Sequence, residues 1–268
     1  MASLRFSKYE GLGNDFLVVE SAEPSCLDDR VPALCDRRRG VGADGVLLVL
    51  PPFTPGSAGR MRVVNADGSS PEMCGNGLRC VALHLRRTRP DLGAEFVVDT
   101  DAGPKACATT WTPARPGDAE VLVDMGRVAI LEETTVDALG RAFSLVLADA
   151  GNPHAVHLGA LPRDEVAIFG PALATHPRFP KGTNVEFVDL AAAARASVVV
   201  WERGVGLTLA CGTGACAVAA VLAARGLASH DQELTIELSG GPLHVRVARD
   251  GRVTMRGPAR LTFEGDVP

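Results

Sequence analysis

Aromatic residues are scarce in this chain: Phe, Tyr and Trp together make up 4% of its 268 residues. Ala, Val and Leu must therefore fill the interior. Basic charge is also short. The net charge is −5, which leaves no broad cationic surface of the kind that nucleic-acid binding needs to displace counterions, so no nucleic-acid partner is expected. The two basic runs, Arg37-Arg38-Arg39 and Arg86-Arg87 with Arg89, read as solvated helix ends. Long apolar stretches are absent as well. The longest, Ala215 to Ala224, stops at about half the length that crosses a bilayer, and it reads as a buried helix with no membrane role. Met1 to Gly13 lacks the apolar core and small-residue cleavage site of a secretory signal. The seven cysteines are odd in number, which points to reduced thiols in the cytoplasm. They also lack Cys-x-x-Cys spacing, so no zinc site is expected. Phe16 stands where the third glycine of a dinucleotide loop would follow Gly11-Leu12-Gly13, which removes that cofactor class.

What is present is an ordinary globular composition, 46% apolar and 22% charged, arranged as one long repeat. The second half echoes the first at a nearly constant offset. Phe6-Ser7 recurs as Phe143-Ser144, Gly13-Asn14 as Gly151-Asn152, Cys74-Gly75-x-Gly77 as Cys211-Gly212-x-Gly214, and Gly103-Pro104 as Gly241-Pro242. Glu95 to Asp99 likewise returns as Glu233 to Glu237. A two-copy repeat of this length implies two similar lobes about a pseudo-twofold axis. Short β-branched stretches such as Gly45 to Leu50, Arg60 to Val64, Ser197 to Trp201 and Leu243 to Ala248 read as strands. Gly77 to Arg87 and Gly214 to Arg225 read as helices. The expected class is α+β: two pseudo-symmetric lobes, each a curved, strand-rich sheet around one central helix.

Cys74 and Cys211 each stand at the mouth of a central helix. Unpaired backbone N–H groups there favour negative charge, so each thiol is expected to have a lowered pKa. The glycines that follow strip away side-chain bulk, leaving the Gly75–Asn76 and Gly212–Thr213 amides open to a small carboxylate. If the two lobes face each other, one carboxylate lies between two helix mouths with a sulfur on either side of its neighbouring carbon. That arrangement suits two-base stereoinversion, in which one thiolate removes an α-proton and the opposite thiol delivers another. An isolated buried cysteine is most often mere packing, and Cys26, Cys35, Cys80, Cys107 and Cys216 are read so. A thiol hydrolase would pair one cysteine with a histidine such as His154, and would leave the second cysteine unexplained.

The chain resembles the diaminopimelate epimerase family along nearly its whole length. The resemblance is carried by Gly11-Leu-Gly-Asn-Asp-Phe16, Gly40-Val-Gly-Ala-Asp44, Asn65-Ala-Asp-Gly68, Cys74-Gly-Asn-Gly77, Gly151-Asn-Pro-His154, Thr183-Asn-Val-Glu-Phe187, Glu202-Arg-Gly-Val-Gly206 and Cys211-Gly-Thr-Gly-Ala215. It implies an isomerase, independent of pyridoxal phosphate, that interconverts LL- and meso-diaminopimelate for lysine and peptidoglycan-precursor synthesis, with two lobes per chain and a homodimer. It assigns Cys74 and Cys211 as the acid/base pair, with the amides of Gly75, Asn76, Gly212 and Thr213 on the reacting carboxylate and Asn14 on the reacting amino group. Asn65, Asn152, Asn184 and Arg203 would bind the far carboxylate, and Glu202 the far amino group with His154 nearby. Some members carry glutamine where this chain has Gly45, so that contact is unassigned. The expected lobes are residues 1–117, with a C-terminal strand at 259–268 returning to them, and residues 118–258. The alternatives are a cofactor-independent racemase of another amino acid on the same fold, and a non-catalytic amino-acid binder.

Overall fold

The computed structural model describes residues 3–113, 115, 117–192 and 194–268. The chain divides into two compact units: residues 1–123 with 257–268, and residues 124–256.

The first unit begins with β1 (Leu4–Gly11) and β2 (Asn14–Glu20), then the short helix α1 (Val31–Cys35), β3 (Gly45–Leu50), β4 (Gly59–Asn65) and the central helix α2 (Gly75–Thr88). It continues through β5 (Glu95–Asp99), β6 (Lys105–Trp111) and the first half of β7 (Ala119–Arg127), which passes into the second unit after Val123. The strands lie in chain order in the sheet. All pairs are antiparallel except β2 with β3 and β4 with β5, the two places where a helix intervenes in the chain and a crossover becomes possible. The tight β1–β2 turn holds Leu12 and Gly13 at positive φ. Strand β3 is buried at all six positions, covered on one side by Leu27, Val31 and Leu34 and on the other by α2, where Leu47 lies against Gly77. Such double cover selects an unbroken apolar run over an alternating one. α2 is buried from Gly75 to Leu85 and ends on Arg86 and Arg87, the sign of charge that a helix C-terminus favours.

The second unit repeats this plan with β8 (Ala129–Ala138), β9 (Arg141–Asp149), β10 (Pro153–His157), α3 (Arg163–Ala174), β11 (Asn184–Ala192), β12 (Arg195–Glu202), the two-residue β13 (Gly206–Leu207) and α4 (Gly212–Ala224). It ends with β14 (Glu233–Leu238), β15 (Gly241–Val247) and the start of β16 (Arg252–Val267). The parallel pairs fall at matching places, β10 with β11 and β12 with β14. α4 is buried along Gly212 to Ala223, the pattern of an apolar helix enclosed on all sides. Phe143, Phe187, Leu145 and Leu173 fill the space between the sheet and α3.

One feature departs from the sequence expectation of one helix per unit. α3 is a full additional helix, although Gly170 and Pro171 interrupt its helix-forming run. Gly170 is needed because the Trp201 ring lies against it, 2.7 Å from where a Cβ would stand. The strand β16 is divided: Arg252 to Arg256 belong to the second unit, while the remainder pairs antiparallel with β1 from Leu4↔Val267 to Glu10↔Arg260. No helix among the described residues is long and apolar enough to cross a membrane.

Candidate active site

In the first unit, Cys74 is the N-cap of α2, and its Sγ accepts the Gly77 N–H at 3.3 Å. Asn76, in the first turn, is buried and donates from Nδ2 to Asn14 Oδ1 at 3.3 Å. Asn14 is fixed from behind. Its Nδ2 donates to Asp44 Oδ2 at 2.7 Å, and Asp44 also receives Arg37 at 2.7 Å. Arg37 bridges on to Asp15 through both terminal nitrogens. Here the expectation for the basic run is corrected: Arg37 is not simply solvated but clamps the two carboxylates beneath Asn14. With the amide nitrogen held by Asp44, Asn14 presents its oxygen toward the first turn of α2, as an acceptor suited to an ammonium group. The neighbouring Gly45 pairs with Asn65 in the sheet, and a Cβ there would stand 2.7 Å from the Val64 carbonyl. The backbone as it stands therefore has no room for a side chain at this position. Asn65, at the end of β4, donates to Ser69 Oγ at 2.9 Å.

In the second unit, Cys211 caps α4 in the same manner, with Sγ accepting the Gly214 N–H at 3.4 Å and lying 3.5 Å from Thr213 Oγ1. The expected lowering of the thiol pKa does not hold for Cys211. Burial, with Glu202 and Glu186 close by, pushes it well above the ordinary thiol value despite the opposing bonds from Thr213 and Gly214. Two carboxylates and low local dielectric outweigh a helix terminus. Glu202 accepts the Thr208 hydroxyl. His154 is buried between Glu186 Oε1, 2.6 Å from Nδ1, and Asn152 Oδ1, 2.9 Å from Nε2. Asn184 ties three segments together, donating to the Pro153 carbonyl and accepting the Arg203 N–H, both at 2.9 Å. The Arg203 guanidinium donates to the Lys181 carbonyl at 3.0 Å and lines a cleft of about 540 Å³ with Lys181, Phe179 and Trp201. Cys211 and Glu202 are not part of that cleft's lining.

The sequence-predicted residues thus form two groups, each inside one unit. Cys74, Gly75, Asn76 and Asn14 meet at the mouth of α2, with Asn65 at the end of β4. Cys211, Gly212 and Thr213 form the mouth of α4, and Asn152, His154, Asn184, Glu202 and Arg203 sit on the strands and loops of the same unit. The groups that sequence reasoning missed are the supports: Asp44, Asp15 and Arg37 in the first unit and Glu186 in the second. Asp44 and Glu186 lie inside recognised motifs, but only the three-dimensional pairing gives them partners. Among the described residues no cluster of three or more His, Cys, Asp or Glu side chains is placed to hold a metal ion.

The sequence profile of the family described as diaminopimelate epimerase matches residues 6–131 and 146–262. A diaminopimelate epimerase of Synechocystis sp. is 40% identical over 288 aligned positions, covering 98% of both chains. One from Desulforudis audaxviator is 42% identical with the same coverage. Among solved structures, a probable proline racemase from Agrobacterium radiobacter superposes with a TM-score of 0.75 at 18% identity, over 99% of this chain and 93% of that one. A hydroxyproline epimerase from Agrobacterium vitis gives 0.74 at 17% identity, over 100% of this chain and 91% of that one. These two share the fold. Full-length matches near 40% identity, together with the family profile, show that this α+β chain belongs to the diaminopimelate epimerase family, a family of isomerases.

Proposed function

We propose that the chain interconverts LL- and meso-2,6-diaminopimelate by two-base transfer of one α-proton, with Cys74 and Cys211 as the pair and no organic cofactor. The observation that carries this reading is the repetition of one chemical device. Each unit places a cysteine at the N-cap of its central helix, with the third residue's N–H on the sulfur at 3.3 and 3.4 Å. In both, glycine then opens the first-turn amides to a carboxylate. A single thiol at a helix mouth serves many ends. Two at equivalent repeat positions serve a reaction that needs a proton donor and a proton acceptor of the same kind.

In one direction the thiolate of Cys74 takes the α-proton while the Cys211 thiol delivers its own proton to the other face, and the reverse direction exchanges the roles. Charge developing on the reacting carboxylate is stabilised by the first-turn amides of Gly75, Asn76, Gly212 and Thr213. Asn14, with its oxygen turned toward the first turn of α2 by Asp44, takes the reacting ammonium. Asn65, Asn152, Asn184 and Arg203 serve the far carboxylate, and Glu202 with His154 the far ammonium, so the substrate is an amino acid at both ends. The reaction belongs to lysine and peptidoglycan-precursor synthesis, in the cytoplasm, by a homodimer. None of the seven cysteines is joined in a disulfide, in keeping with a reducing compartment.

Incubation with LL-diaminopimelate in heavy water tests the proposal: deuterium is expected at one α-carbon together with meso product. Exchange with another amino acid but not with this one would make the chain a different racemase, and exchange with none would make it a binder.

A further inference from the structure

Glu186 has no role in the reaction described above, yet it is the carboxylate most completely removed from water in the second unit, with zero exposure. A carboxylate in such a place is costly unless it is held. Glu186 is held by one bond, between Oε1 and His154 Nδ1 at 2.6 Å. Its other oxygen is buried with no hydrogen-bond partner among the described residues. The position of Oε1 is informative: it lies 2.8 Å from where a Cβ on Gly214 would stand, and Cys211 Sγ lies 3.3 Å from that same point. Carboxylate and sulfur therefore flank one backbone position in the first turn of α4, and glycine there is what lets the carboxylate approach.

The hydrogen bonds of His154 limit where its protons can be. Asn152 Oδ1, 2.9 Å from Nε2, only accepts, so Nε2 carries a proton. One further proton lies between Nδ1 and Glu186. When it resides on nitrogen, the pair is an imidazolium and a carboxylate, and it is the carboxylate oxygen that flanks Gly214 together with the Cys211 sulfur, its charge joining that of Glu202 in opposing thiolate formation.

We propose that Glu186 is a positioning residue for Cys211: locked by His154 against the first turn of α4, its carboxylate keeps the sulfur protonated between turnovers. The inference rests on the epimerase reading, in which Cys211 gives a proton to carbon or takes one from it. Glu186 exchanges no proton with substrate. It makes Cys211 enter the cycle as the acid and makes the thiolate left when that proton is given up a stronger base, in the reverse direction, for an α-proton much less acidic than a thiol.

The test uses the full chain and its Glu186→Gln variant, which keeps the size of the side chain and removes its charge. Iodoacetamide labelling of Cys211 is followed by peptide mass spectrometry from neutral to alkaline pH, with Cys216, fully buried in the same helix, as internal control. The expected result is a downward move of the Cys211 labelling midpoint, giving about tenfold faster labelling near neutral pH, with Cys216 unchanged. An unmoved midpoint, or equal acceleration at both cysteines, overturns the proposal; the latter is the signature of a loosened helix. Should the variant not fold, nitrogen NMR of the unaltered chain decides. The Nδ1–Oε1 bond is expected to carry its proton on His154 Nδ1, and a proton on the carboxylate instead leaves Glu186 uncharged and overturns the proposal. Deuterium exchange on the same unaltered protein separates the two readings: with exchange intact, an unmoved Cys211 midpoint removes only the role of Glu186. Without exchange, a moved midpoint upholds the pairing and removes the epimerase.

Discussion

Adding one methyl group at each of two equivalent glycines gives a sharp test of how differently the repeated helix mouths are supported. Gly77 and Gly214 occupy the same repeat position, and each donates its N–H to the cysteine cap. In Gly77→Ala the new Cβ meets Leu47 Cδ2 at 2.9 Å, the far end of a side chain that can rotate. In Gly214→Ala it meets Glu186 Oε1 at 2.8 Å, which His154 holds in place. The carboxylate must yield by several tenths of an ångström, at the expense of a charge-assisted bond worth about 1.5–3 kcal/mol, with roughly 1–3 kcal/mol of overpacking besides. Alanine returns only about 1 kcal/mol in helix propensity. Gly214→Ala should therefore be less stable by about 2–4 kcal/mol, whereas Gly77→Ala should stay within about 1 kcal/mol of the parent. Urea denaturation followed by circular dichroism gives both values. Equal effects at the two positions, or a stabilised Gly214→Ala, would refute the claim that the Glu186 carboxylate is fixed against α4.

Three further outcomes are expected. His84 is buried, bonded to Tyr9 and Glu20, and burial holds its pKa below the ordinary value of 6.5 despite Glu20. The unfolded chain then binds the extra proton first, so the stability this neutral ring supports is complete above about pH 6.5 and is lost as pH falls through the folded value; thermal melts should show this slope and His84→Gln should flatten it. Asp99 is buried, which by itself would raise its pKa, but the N–H groups of Phe53 and Thr54 and the Ser57 hydroxyl bring it below the ordinary carboxylate value. Asp99→Ala should cost about 3 kcal/mol in a urea melt by stranding three donors, and the contribution of this group should be full above about pH 4 and fade as pH falls through its lower folded pKa. Asp44→Asn frees the Asn14 amide to turn over, and should raise KM for diaminopimelate roughly tenfold, the equivalent of one misdirected hydrogen bond, with little change in the melting temperature.

Much of this was legible in the sequence because the repeat advertises itself. Strands and central helices follow from apolar runs bounded by Gly and Asp, and the matched Cys-Gly-x-Gly segments point to the two helix mouths without reference to any fold. α3 was not legible because Gly170 and Pro171 suppress the local signal, and only the Trp201 ring packed on Gly170 explains why a glycine is there. The acidity expected of Cys211 failed for a similar reason. Its place at a helix N-terminus is local information, whereas Glu186 and Glu202 come from β11 and β12. Arg37 read as a solvated charge because its partners, Asp15 and Asp44, sit on separate segments.

The division of β16 bears on the order in which the protein can assemble during synthesis. The strand that pairs with β1 on the side away from β2 comes from Arg260 to Val267, made after every strand of the second unit, the last of which has emerged by Arg256. The half of the protein made first is thus completed only after the half made second, and until Arg260 to Val267 are in place β1 keeps an open edge with Phe6 lacking its cover from Phe263 and Gly265. An extension or truncation at the C-terminus would be felt at the N-terminal strand, some 260 residues away in sequence and directly adjacent in the sheet.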